Sequence, residues 1–566
     1  MLRLAQLRAV WLLLPLSLAA ATVAPTVGRA ASDPAPVVAL KEPQAAVADD
    51  PSATMERALG FERKHLWTSA VQVYRDARVR WPGRNDFKQR LLLCEMHLRL
   101  ARRYGDQSFR NVLLRLTREK SVDLFDEMIE RIESHYVDSV PLEPLFRRGL
   151  DNLEVALRDP GFAFLQINAP SATPERLAWL RDQLRARREV LVVPDRDAAR
   201  DQLVQICDLA RQGVGIPAAA VVMEFVFATC DVLDEYTVYL TPDKLDDMFA
   251  MIDGNFVGLG VELKLDEGGL RLVGVIRGGP AAEAGIKAGD RIVAVGGVSV
   301  KGLGLDEAAG RLQGTEGTTV DVAVQHADNR TQSYRLVRRH VEVESIAQAK
   351  ILENTPGVGY IQLVGFQKTS TEELDRAMTR LQRQGMRYLI LDLRGNPGGL
   401  LNVAVDIADR FLDHGVIVST RGRAPGQTQR FVAKPDKPYT MPVAVLVDRD
   451  SASASEILAG ALQELQRAVV VGDRSFGKGS VQSIFELRSV PAGLKLTTAK
   501  FYSPLSRPYS EQGVTPDELL RVTARPAFGG EAEAEEEPKE FGDPASDAAL
   551  RMAISSVRSQ LAISRR

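Results

Sequence analysis

The chain has 566 residues, with 72 basic and 74 acidic side chains and a formal net charge of −2. That length exceeds what one hydrophobic core serves and predicts three or four units. The near balance of charge supplies no field to draw a polyanion, which sets nucleic-acid binding aside.

Arg3 and Arg8 precede an apolar run from Val10 to Ala24 that is broken by Pro15 and closes among small residues. This order of segments predicts a secretory signal over residues 1–30 and an exported protein, periplasmic or otherwise extracytoplasmic. The run is shorter than the roughly 20 apolar residues that span a bilayer. Membrane association and homo-oligomerisation both stay open. Residues 31–54 are rich in Ala, Pro and Asp and read as a linker.

Residues 55–120 turn helical, and Trp67, Ala70, Tyr74, Ala77 and Pro82 stand at spacings resembling the second half of a tetratricopeptide repeat. Within 121–250, Leu124, Phe125, Met128, Ile129, Ile132 and Tyr136 recur at helical spacing. The charged stretch 159–215 carries no motif and reads as an insertion. Cys94, Cys207 and Cys230 are an odd set without CxxC spacing, which predicts buried small hydrophobes, not a disulfide framework or zinc site. Nothing in the sequence calls for a metal or other cofactor.

Residues 254–343 change texture to short β runs with many glycines: Val257 to Glu262, Leu270 to Ile276, Arg291 to Val295 and Val320 to Val324. From 344 to 525, strands at Gly359 to Val364 and Tyr388 to Leu393 alternate with helices, one expected from Thr371 with Ser370 as cap and Glu373 as its capping-box partner. The remainder, 526–566, joins an acidic run at Glu531 to Glu537 to a helix from Asp547 to Leu561 that should fold back onto the body.

The β-rich module carries Gly258-Leu259-Gly260-Val261, then Gly279-Pro280-Ala281-Ala282-Glu283-Ala284-Gly285-Ile286, then Ala288-Gly289-Asp290-Arg291-Ile292. In that order these segments resemble a PDZ domain. Such a domain adds a peptide as an extra strand and holds its terminal carboxylate on backbone N–H groups, here those of Gly258, Leu259, Gly260 and Val261. Leu259 and Val261 would line its apolar pocket.

The most informative stretch is Asp450-Ser451-Ala452-Ser453-Ala454-Ser455-Glu456, followed by Ser475-Phe476-Gly477-Lys478-Gly479-Ser480-Val481-Gln482. A hydroxyl-rich turn opening an apolar helix, with a lysine between glycines downstream, has the form of a Ser/Lys hydrolase. The six histidines, His65, His97, His135, His326, His340 and His414, occupy no GxSxG or HExxH motif. A lysine acts as base only when neutral, and an ordinary pKa near 10.4 leaves about one in 2,500 unprotonated at pH 7. Burial that lowers it by about three units would free on the order of a quarter. Ser451 and Ser455 compete with Ser453 for the nucleophile's role; otherwise they cap the helix that follows.

These segments, with Ala459-Gly460-Ala461-Leu462 and Lys495-Leu496-Thr497-Thr498-Ala499-Lys500-Phe501-Tyr502, resemble the carboxyl-terminal processing proteases, also called tail-specific proteases. The resemblance runs from about Leu124 to the C-terminus, the insertion excepted. It implies a multidomain α/β protein: an N-terminal helical region, a PDZ domain and a ClpP/crotonase-like ββα serine protease core. It implies Ser453 as nucleophile, Lys478 as general base and Gln482 as the group that orients the lysine. Ala454 N–H and, from the strand-to-helix turn Asp392 to Gly399, Gly399 N–H in preference to Gly398 would form the oxyanion hole. Glu456 is an accessory candidate.

Two departures from the family pattern stand out. Charges at Asp448-Arg449-Asp450 precede the nucleophile, and Glu235 follows Asp234 where a proline is usual, which bears on substrate handling and pH optimum. The expected function is an exported serine endopeptidase that takes proteins or peptides with accessible C-terminal tails. The alternative is a catalytically silent scaffold in which the PDZ and helical units bind such tails.

Overall fold

The computed structural model describes residues 10–13, 50–166, 172–266, 269–301, 305–314, 316–434, 437–520 and 541–564. Most of the expected signal and linker, and the acidic run, lie outside the described residues. The linker ends earlier than residue 54. Pro51 opens the helix Pro51–Arg63, and the Asp50 side chain accepts from Ser52 N–H, so proline at the first turn and an aspartate cap override the Ala/Pro composition.

Helices Pro51–Arg63, Trp67–Arg80 and Asn85–Gly105 pack around Ala58, Ala70, Tyr74, Phe87 and Cys94. Inside this unit the Tyr74 hydroxyl donates to Glu62 Oε1 at 2.5 Å and Arg90 pairs with the same carboxylate. Trp67 stacks on His97, and His97 Nδ1 meets Asp159 Oδ2 at 3.2 Å, which joins the unit to the next helical body.

In that second body the helix Ala218–Leu233 is apolar on nearly every side and lies at the centre of helices Arg118–His135, Leu142–Ala156 and Arg196–Val214. The stretch read as an insertion is therefore no appendage. Leu180, Leu184, Leu203, Ile206 and Ala210 bury their side chains in the same core. Gly149 is fixed by packing, because a Cβ there would stand 2.1 Å from the Phe225 ring.

The β-rich module is a sheet of Val261–Asp266, Gly269–Val275, Arg291–Val295, Thr319–Gln325 and Thr331–Val337 in that spatial order. Its first run is two strands, not one. Gly260, at φ +74°, turns the chain between Asn255–Gly258, which pairs with Arg339–Glu342, and Val261–Asp266. The carbonyls of Leu259 and Gly260 accept from Ala281 and Ile276 N–H, which fixes the backbone of this loop. Leu259 is buried in the module's core and Val261 packs at its edge.

Two sheets form the C-terminal body. One runs Ile346–Ile351, Val358–Leu363, Tyr388–Asp392, Val443–Val447, Ala468–Gly472 and Glu518–Leu519, antiparallel at the first pair and parallel thereafter. Burial on both faces explains its unbroken apolar strands. The other runs Gly399–Leu400, Val10–Leu13, Ser480–Glu486, Gly493–Tyr502, Val416–Gly422 and Gln429–Val432, with Val238–Leu240 also on Gly493–Tyr502. Helices Ser370–Arg383, Leu401–Asp409 and Ala454–Glu464 contribute to the core that the two sheets share. The α/β layering expected from the sequence is present.

One cap is displaced. Thr369, not Ser370, precedes the helix, and Ser370 Oγ accepts from Gln367 N–H. Glu373 Oε2 accepts from Ser345 and Ile346, so its carboxylate braces the exit from the β-rich module.

The C-terminal helix Ala548–Ser564 covers the outer face of the parallel sheet through Leu550, Ala553 and Val557. Asp547 accepts from Leu550 N–H at its start and from both Arg394 Nη atoms, at 3.0 and 2.6 Å. Arg394 also pairs with buried Asp392 and lies over the Phe541 ring. Replacing Asp547 with alanine leaves half of this buried fork unpaired and is expected to lower stability by about 3 kcal/mol. Urea unfolding measures it, with an unchanged midpoint as the contrary result.

Candidate active site

The strand Val443–Val447 ends in a tight turn that opens the helix Ala454–Glu464, and Ser453 sits at its N-cap with φ +64° and ψ −111°. A non-glycine residue here is strained, and the strain turns the hydroxyl out of the helical path. Ser453 is fully buried, as is Gln482, and Lys478 is 1% exposed.

Glu456 assembles the site. Its Oε2 accepts from Ser453 N–H at 2.6 Å and Lys478 N–H at 3.0 Å, and its Oε1 accepts from Gly477 N–H and Ser475 Oγ at 2.7 Å each. One carboxylate oxygen thus holds the backbones of serine and lysine together. Burial pushes the Glu456 pKa up, and these four bonds oppose the rise.

Burial drives the Lys478 pKa well below the lysine range, and nearby Lys495 lowers it further; Glu456, Asp234 and Glu235 act against both. Its Nζ stands 4.7 Å from the Tyr236 ring centroid. Gln482 Nε2 donates to Ser480 Oγ at 2.9 Å and Thr497 Oγ1 at 3.3 Å. Ser453 Oγ, Lys478 Nζ and Gln482 Oε1 are all buried with no hydrogen-bond partner among the described residues. Buried polar atoms are rarely left so; other side chains, among them Arg103, Glu224, Tyr239 and Tyr509, carry such atoms too, but these three belong to the residues singled out from the sequence.

The rival serines have other partners. Ser451 Oγ donates to Leu393 O at 2.8 Å and Ser455 Oγ to Asn396 O at 2.9 Å. Neither caps the helix; both pin the turn that carries the glycines. Asn396 Oδ1 accepts from Gly398 N–H at 2.8 Å, which occupies that amide. Gly398 lies so close to Ser453 that a Cβ would be 2.9 Å from Ser453 Cβ and from Ala454 N. The charges ahead of the serine are also taken up. Asp448 accepts from Gly395 and Ser451 N–H, and exposed Arg449 pairs with Asp473.

Sequence reasoning marked Asp234 and Glu235 only as a departure from the family pattern and did not include the turn Asp234–Thr237 among the site residues. Asp234 accepts from Thr497 Oγ1 at 3.0 Å, so a relay runs from Gln482 through Thr497 to Asp234. The available signal was Lys495 and Thr497, polar residues of one parity in an otherwise buried strand.

The profile of peptidase family S41 matches residues 357–520, and that of the PDZ domain matches 271–326. The carboxyl-terminal-processing protease of Synechocystis sp. is 38% identical over 303 residues, covering 53% of this chain and 70% of the relative. The chain belongs to the carboxyl-terminal-processing protease family. The protease is 38% identical to the Bartonella bacilliformis carboxy-terminal-processing protease over 291 residues, half of this chain and 66% of that one. A solved photosystem II D1 C-terminal processing protease aligns at 26% identity over 71% of this chain and 93% of the other, with a TM-score of 0.38. The protease is thus a serine-type endopeptidase with a PDZ domain for peptide or protein substrates.

Removing the Glu456 carboxylate frees four donors at once. Glu456→Ala is expected to reduce kcat by about 100-fold or more through misplacement of serine and lysine. Glu456→Gln, which keeps one acceptor oxygen, should fall between. Steady-state cleavage of a fixed peptide measures both, and an alanine variant with wild-type kcat would remove the bracing role.

Proposed function

We propose that the protease cuts near the C-terminal tails of exported proteins with Ser453 as nucleophile and Lys478 as base. The shared Glu456 oxygen, which brings the two backbones together around an amine whose burial disfavours its charged form, is the observation that carries this reading. Lys478 Nζ takes the Ser453 hydroxyl proton as Oγ bonds to the scissile carbonyl carbon, and the carbonyl π pair moves to oxygen. Ala454 N–H, at the start of the helix, and Gly399 N–H receive that oxyanion; the Gly398 amide is engaged by Asn396. On collapse the C–N bond breaks and the lysine ammonium gives its proton to the departing amine. Water then adds to the acyl-enzyme with Lys478 again as base. Gln482, anchored by Thr497, keeps an acceptor available to the amine.

The substrate enters as an extended strand. Residues Val10–Leu13 occupy such a position, pairing antiparallel with Gly399–Leu400 on one side and Ser480–Glu486 on the other, with Leu13 opposite Gly399 and Leu12 opposite Gln482. The slot between nucleophile turn and lysine strand therefore accepts a backbone by strand addition. The PDZ loop Gly258 to Val261 holds the tail carboxylate. Export follows from the basic, then apolar, then small-residue order of the N-terminus.

Ser453→Ala and Lys478→Ala are each expected to lower kcat at least 1,000-fold with peptide affinity retained, as read by mass spectrometry of products and by peptide titration. Undiminished cleavage by either variant would end the assignment. Amidating the C-terminus of a peptide substrate should raise KM with little change in kcat; an unchanged KM would remove tail capture by the PDZ loop.

A further inference from the structure

Beside the catalytic trio the site buries a second lysine, Lys495, 1% exposed. It lies on Gly493–Tyr502, where Thr497 is paired with Gln482 and Lys495 with Ile484, so Lys495 and Thr497 share one face of the strand. At the strand's other edge Val238 pairs with Lys495 and brings in the turn before it. That turn is rigid: the Asp234 carboxylate accepts from Tyr236 and Thr237 N–H, Thr237 Oγ1 and Thr497 Oγ1, at 2.8 to 3.0 Å.

We propose that Lys495, on the strand that pairs with the end of the Asp234 turn, is a positioning residue whose positive charge keeps the Lys478 amine free to take the Ser453 proton. This rests on Lys478 being the base.

The charges that act on Lys478 come from three elements: Lys495 from the sheet, Glu456 from the nucleophile's helix, and Asp234 and Glu235 from the turn. The Tyr236 ring at the amine contributes no negative charge, its hydroxyl pKa being raised by burial and by neighbouring carboxylates. Of the named charges, Lys495 alone opposes protonation of Lys478. Burial pushes Lys495 itself down to about 8, with Asp234 acting against the fall. Two buried lysines around one turn repel, so a charge on Lys495 favours the neutral form of Lys478.

A purely structural role fits this position poorly. In the unfolded chain Lys495 holds its proton up to 10.5 and in the fold only to about 8, so it opposes folding fully below pH 8 and ceases to do so as pH rises to 10.5. An apolar side chain would be more stable there, which marks the charge as retained for chemistry.

The test uses the full chain and two readouts: the pH dependence of kcat/KM on one peptide, and of the rate at which a fluorophosphonate labels Ser453. In Lys495→Met the acid limb of both profiles should move to higher pH by on the order of one unit, because the amine now protonates more readily. Lys495→Arg keeps the charge and should restore the wild-type limb. Glu235→Gln, at an exposed residue, should move the limb the opposite way by a few tenths of a unit.

A Lys495→Met limb coincident with wild type overturns the inference, as does failure of both the Met and Arg variants to fold. An inactive Lys478→Ala beside an unmoved Lys495→Met limb removes this inference alone. Labelling and cleavage surviving in Lys478→Ala would remove the base, and this inference with it.

Discussion

The geometry of the candidate site depends on one buried carboxylate. Glu456 sits one helical turn beyond Ser453 and receives amides from Ser453, Gly477 and Lys478 and a hydroxyl from Ser475. An anion out of water is expensive unless its lone pairs are filled, and four donors fill them. A neutral side chain would make weaker bonds and would not hold Ser453 at positive φ, a conformation that costs roughly 1–3 kcal/mol. Charge-assisted bonds thus stabilise a strained serine and anchor a loop twenty residues away in the same place.

A second layer fixes the opposite wall. The serines either side of Ser453 donate to carbonyls of the Leu393 to Asn396 turn, and Asn396 in turn engages the Gly398 amide and donates to Leu363 O. Behind this turn Arg394 is gripped by Asp392 and by Asp547 from the C-terminal helix. The alternating Ser-Ala pattern therefore has a division of labour. Of Ser451, Ser453 and Ser455, Ser453 is the one whose buried hydroxyl has no partner among the described residues, whereas its neighbours spend theirs on the turn.

The candidate catalytic residues stood out in the sequence because the pattern that marks them is local. A small turn before an apolar helix and a lysine between glycines are short patterns with a physical meaning, and the order of glycine motifs exposed the PDZ domain. What bridges distant segments was not legible. That Glu456 reaches Gly477, that Glu373 braces Ser345 as well as the Thr369 cap of its own helix, and that Asp234 reaches Thr497 are all set by tertiary placement. Local composition also misled at two points. Pro51 reads as linker until Asp50 is seen to cap it, and the charged stretch from Pro174 to Val214 hides Leu180, Leu203 and Ile206, which fill a core.

The three unpartnered atoms connect binding to chemistry. Each buried polar atom without a partner costs about 1–3 kcal/mol, and Ser453 Oγ, Lys478 Nζ and Gln482 Oε1 lie in one site. A resting enzyme that satisfied them fully would stabilise its ground state and raise the barrier to proton transfer by the same amount. Instead the fold supplies rigidity through groups that do not react: Glu456 on one side, Thr497 and Asp234 on the other. In the proposed mechanism the Ser453 hydroxyl and the Lys478 amine find their partners in each other and in the scissile peptide, so the gain from satisfying them is realised along the reaction path.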